Sequence, residues 1–89
     1  MGGYMKLKVI GSNMTEVELH GYTTVFFSYN TPVAAWLNGN FYVTDKHWSR
    51  TTTKHINKWL THFTGINDAS LVIMINKPQE FFDSLEKNV

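Results

Sequence analysis

Eighty-nine residues with no cysteine make one domain, near the lower size at which a single apolar core suffices without covalent staples. The missing thiols exclude disulfides, thiolate-bound zinc and a cysteine nucleophile, and a reducing, intracellular setting fits. A net charge of +1 does not announce a nucleic-acid protein, so the distribution of charge carries more information than its sum.

Residues 5–10 alternate, with Leu7 and Val9 on one side and Lys6 and Lys8 on the other, which is the pattern of a half-exposed strand. Gly11-Ser12-Asn13 is turn chemistry. Residues 15–20 alternate again, Val17 and Leu19 inward and Glu16 and Glu18 outward. The two segments suit an antiparallel pair in which Lys6 and Lys8 face the acids. Gly21 punctuates. Residues 23–29, TTVFFSY, are β-branched and aromatic and predict a strand buried on both faces or at a sheet centre. Asn30-Thr31-Pro32 breaks it.

VAAWL and FYVT then flank Asn38-Gly39, the dipeptide best suited to the two positive-φ positions of a type I′ turn. With those two as the loop, Leu37 faces Asn40, Trp36 faces Phe41 and Ala35 faces Tyr42. Asp45-Lys46 leads out of the hairpin.

Residues 47–63 combine an apolar stripe with a basic face. Ile56, Trp59, Leu60 and Phe63 recur at helical spacing. Ser49 is placed to cap the first turn and Gly65 to close the last in a left-handed conformation. No Glu or Gln stands three residues after Ser49, so the reciprocal capping box is missing. Arg50, Lys54, Lys58 and Thr61 step along the opposite face, and no acid occurs in residues 46–63. Thr51, Thr52 and Thr53 suit a first turn, where hydroxyls can meet free amides or an anion. The segment from Asp68 onward balances to −2, so one basic and one mildly acidic surface are expected.

The run LVIMI, residues 71–75, predicts a short strand buried on both faces. Pro78 suits the start of a final helix with Phe81, Phe82, Leu85 and Val89 as its stripe. The expected fold is therefore α+β. A small antiparallel-rich sheet, in the order β-β-β-β-β-α-β-α, carries the 49–63 helix packed on one face and a short C-terminal helix.

The strand and turn Ser28 to Ala34 (SYNTPVA), the Tyr42-Val43-Thr44 end of the hairpin, and a helix start with Ser49, Thr51, Thr52, Lys54 and His55 resemble a family of small proteins encoded by bacteriophages and prophages. Three threonines at 51–53 stand where that pattern has two, which leaves open which pair corresponds. The resemblance covers residues 23–60. It implies a phage origin and an α+β fold and supplies no mechanism.

Four histidines invite a metal, but none pairs at i, i+4 with a carboxylate beside it, so no metal or cofactor is expected. Ser28, Ser49, Ser70 and Ser84 stand in no nucleophile-elbow context. A chain this short leaves little volume for a substrate cleft, and enzymatic activity is not expected. No segment approaches membrane-spanning length and the N-terminal residues lack the apolar core of a signal peptide.

The expected role is binding without catalysis. On this reading a small phage accessory protein modulates a host protein or protein complex in the host cytoplasm, including as an inhibitor of host defence. The alternative is DNA or RNA binding through the basic helix. The residues expected to make contact are Lys46, His47, Arg50, Thr51, Thr52, Lys54, His55 and Lys58.

Overall fold

The computed structural model describes residues 5–19 and 22–87. His20, Gly21 and Val89, which the sequence reading placed in a strand, a turn and a helical stripe, lie outside them. Five strands run in sequence: β1 (Met5–Gly11), β2 (Met14–Leu19), β3 (Thr23–Ser28), β4 (Thr31–Leu37) and β5 (Asn40–Thr44). Helix α1 (Arg50–Thr64), a single 3-10 turn (Ala69–Leu71), β6 (Met74–Lys77) and helix α2 (Gln79–Glu86) follow. The six strands form one sheet in the order β1-β2-β3-β4-β5-β6. The first five pair antiparallel, whereas β6 lies parallel to β5 because α1 carries the chain back across the sheet.

Alternation of side chains divides the core between the two faces of this sheet. One cluster joins Met14, Phe26, Ala34 and Val43 to Ile56, Trp59 and Leu60 of α1. The other joins Val17, Val25 and Phe27 to Leu85 of α2. Phe26 and Phe27 are neighbours in sequence and serve opposite faces, so β3 is a strand buried on both sides, as its composition predicts.

The β1–β2 register sets Lys6 against Glu18 and Lys8 against Glu16, as the alternation predicts. The apolar side of β1 does not follow expectation, because Leu7 is 62% exposed and Val9 70%. Being an edge strand, β1 lies beyond α2, which packs against β3 and β4. The turn before β4 is also displaced from its expected place. The break falls at Tyr29-Asn30, with Tyr29 at φ 59°, and Thr31 and Pro32 already belong to β4. Phe26 pairs with Ala34 and Phe27 with Pro32, leaving Val33 as an extra residue. Such a bulge is a position at which a strand accepts proline.

The run 71–75 departs furthest from its reading. Leu71 closes the 3-10 turn, the strand starts only at Met74, and of the five residues Val72 alone is buried. Ile73 is 89% exposed and Ile75 40%. The crossover sets β6 at the sheet margin, where α1 covers one face only.

Candidate functional site: the outer face of α1 and the loop before it

Local chemistry explains why the helix begins at residue 50. Ser49 is extended (φ −172°, ψ 167°), and its Oγ accepts from the Thr52 amide at 3.1 Å. Its carbonyl accepts from the Thr53 amide at 3.1 Å and from Thr53 Oγ1 at 3.2 Å. At the other end Gly65 adopts φ 78° and its amide donates to the Thr61 carbonyl at 2.8 Å. That is the left-handed closure expected of this glycine.

The inner face is anchored by aromatic packing. Trp59 is fully buried, stacks on Phe26 with centroids 5.2 Å apart and meets Phe41 edge-on at 5.8 Å. Its indole N–H donates to Glu16 Oε1 at 2.9 Å. A helix clamped this firmly holds its outer side chains at fixed spacing, a precondition for using them in recognition.

Five of the expected contact residues are exposed together on that outer side or just before it: Lys46, His47, Arg50, Lys54 and Lys58. Thr51 is exposed with them. The N-terminal half of the helix adds the partial positive charge of its free amides to these cations. The loop is also shaped. The Lys46 ammonium lies 4.0 Å from the centroid of the Trp48 ring, in a cation–π contact. The Trp48 indole N–H in turn donates to Gln79 Oε1 at 3.1 Å. Gln79 also accepts from Thr44 Oγ1 at 2.8 Å and donates to the Pro32 carbonyl at 2.7 Å. One amide at the start of α2 therefore ties the basic loop to the ends of two strands. Nothing in local sequence marks Gln79 for this role, since Pro32, Thr44 and Trp48 lie more than thirty residues away.

Two of the expected contact residues sit differently. Thr52 is buried, and its Oγ1 accepts from Ser28 Oγ and Ser49 Oγ, each at 3.3 Å. It pins the first turn to the end of β3 and does not face solvent. Its position four residues before Ile56 was the available signal, because that spacing places it on the buried stripe. His55 is half-buried, with Nδ1 2.8 Å from Ser28 Oγ and its ring 5.5 Å from that of Tyr29. The Ser28 hydroxyl donates towards Thr52, so the imidazole N–H is the natural donor to Ser28. Ser28 was missed as a member of this network because a buried serine at a strand end carries no distinctive pattern.

Burial foremost, and the Lys58 ammonium second, lower the His55 pKa below its ordinary value of 6.5. The unfolded chain then binds this proton more readily than the folded one. The His55 contribution is complete above about pH 6.5 and is lost as pH falls from there through the depressed folded value. Wild type should therefore lose more melting temperature than His55→Gln between about pH 7 and about pH 5. Parallel slopes for the two proteins over that range would contradict it.

A cleft of about 300 Å³ runs beside the first half of α1, with Lys46, His47, Trp48, Thr53, Asn57 and Asn76 on its walls. Among the described residues, no three His, Asp or Glu side chains gather as a metal site would require. Nor is any helix among them long and apolar enough to cross a membrane.

Sheet, crossover helix and basic face together define an α+β protein with a meander of five antiparallel strands, a sixth added in parallel and a solvent-facing cationic helix. A family model, described as a family of unknown function (DUF8033), matches residues 5–76, and the chain belongs to that family. The matched region takes in β1 to β5, α1 and all but the last residue of β6, and leaves α2 outside. No curated protein and no solved structure matches the chain.

Proposed function

We propose that this protein is a non-catalytic binding module that engages an acidic surface of a partner protein through the outer face of α1. The observation that carries this reading is the exposed row Arg50, Lys54 and Lys58, continued by Lys46 and His47, on a helix whose opposite face is locked into the core. The half-exposed indole of Trp48 beside Lys46 supplies an aromatic anchor of the kind that concentrates binding energy at interfaces. The resemblance of residues 23–60 to phage-encoded proteins supports a host protein or complex as the partner, engaged in the host cytoplasm and including a component of host defence. A protein is favoured over nucleic acid because the cationic strip is one helix wide. The cleft on its far flank is walled by Asp68 as well as Lys58, whereas a nucleic-acid groove needs an extended positive surround.

The test is charge reversal at Lys54 and Lys58. Both are exposed, so Lys54→Glu/Lys58→Glu should change stability by no more than about 0.5 kcal/mol. Capture of the partner from nuclease-treated host lysate should weaken at least tenfold, chiefly through slower association. Unchanged capture by the double variant would mean that this face is only a solvated surface. Loss of capture on nuclease treatment, with a steep fall in binding as salt rises, would mark DNA or RNA as the partner instead.

A further inference from the structure

We propose that a second copy of this chain covers the outer edge of β6, pairing the segments 72–76 of the two copies antiparallel about a two-fold axis at Met74. This inference is independent of the role given to α1.

Three observations carry it. The first is composition: residues 71–75 form an uncharged, uninterrupted apolar run. Strands in parallel pairing normally show such runs because both of their faces are covered. The second is exposure. Leu71, Ile73 and Ile75 all stand in solvent, and among the described residues no strand pairs with the far side of β6. An open apolar edge of this kind is a template for another strand. The third is charge, which separates the two ends of the sheet. An antiparallel self-pairing of β1 that keeps its apolar residues on one face sets Lys6 and Lys8 against Lys6 and Lys8 of the other copy, and like charges directly opposite repel. Pairing about Met74 places Ile73 opposite Ile75 of the other copy and Val72 opposite Asn76, with no charge against charge. The lysines guard one edge of the sheet along its length, whereas β6 carries a charge only at its last residue, Lys77, which in this register falls opposite Leu71 of the other copy.

Geometry agrees with this choice. Ile75 lies beside Tyr42 in the parallel register, and Tyr42 packs on Phe81 of α2 with centroids 5.3 Å apart. Ile73 and Ile75 therefore continue an apolar strip on the α2 side of the sheet, and their counterparts would extend it across the axis. Met74 and Asn76 face the α1 side, where they border the clefts flanking that helix. The pairing thus buries the isoleucines and leaves the outer faces of both α1 helices free, on the same side of a twelve-stranded sheet. A four-residue strand and its flanks make a small interface, in the class below ~1,200 Å² that associates weakly.

The experiment is sedimentation equilibrium of the full chain across the micromolar range. The expected weight-average mass rises from 10.3 kDa towards twice that value as concentration increases. Ile73→Asp/Ile75→Asp and Ile73→Lys/Ile75→Lys should each stay monomeric with unchanged circular dichroism, because both side chains are already exposed. An equimolar mixture of the two variants should recover the doubled mass, since each aspartate then faces a lysine. A monomeric wild type at all concentrations, a dimer that survives either variant, or a mixture that stays monomeric would overturn the proposal.

Discussion

Trp59→Ala is expected to destabilise the protein by about 3–5 kcal/mol, the range for deleting a large buried aromatic. The indole is wholly enclosed, stacked on Phe26, edge-on to Phe41 and tilted against Phe63 at 5.5 Å. Its removal opens a void at the point where α1 meets β3 and β5. It also strips Glu16 Oε1 of its only side-chain donor among the described residues, and a half-buried carboxylate left without a partner adds to the cost. Domains of this size have only about 5–15 kcal/mol in hand, so the variant should lie close to unfolding at 37 °C. Urea titration against a surface control such as Thr51→Ala measures the difference, and a midpoint no lower than the control's would show that the stripe is not core. Glu16→Gln in the Trp59→Ala background and alone apportions the two contributions, because it keeps the indole packing and alters only the acceptor of its N–H.

Gly39→Val is expected to be the next most damaging change, costing about 1–3 kcal/mol. Asn38 and Gly39 have φ values of 48° and 90°, both positive as a type I′ turn requires. A Cβ built on Gly39 meets nothing within 4 Å, so the penalty is conformational and not a clash. A β-branched side chain resists this region of backbone space. Escape to a longer loop would shift Trp36 away from Phe41, to which it is now paired, and would loosen the Trp36–Phe63 contact at 5.8 Å. Gly39→Asn should be far milder, since asparagine tolerates the left-handed region. Comparing the two melting temperatures distinguishes strain at this residue from a general intolerance of the loop. Equal losses for valine and asparagine would contradict the account.

These two positions were legible in the sequence for the same reason. Both are specified by neighbours within a few residues, one by the spacing of Ile56, Trp59, Leu60 and Phe63, the other by an Asn-Gly pair between apolar runs. The Ser49 cap, the Gly65 closure and the facing of Lys6 and Lys8 to Glu18 and Glu16 belong with them. Each depends on short-range geometry that a periodicity or a turn dipeptide encodes directly. The exposed cations Arg50, Lys54 and Lys58 were legible in the same way, because the face opposite an apolar stripe on a packed helix is the solvent face.

What the amino-acid order could not settle was which surfaces a distant element would cover. Leu7 and Val9 alternate like the inward face of a strand, yet they stand exposed because α2 lies over β3 and β4. The run 71–75 has the composition of a buried strand, and it is exposed because the crossover through α1 delivers it to the sheet margin. The His55–Ser28–Thr52 network and the Gln79 clamp on Trp48 join residues 24 to 31 positions or more apart, so no local pattern announces them. Apart from the bounds of β6 and the break before β4, the elements, the hairpin register and the amphipathic division of α1 were already written in the amino-acid order, since they follow from backbone preferences and periodicity over a few residues. Which apolar residues are buried and which hydroxyls meet the helix emerge only from the folded chain, because burial depends on where the chain returns.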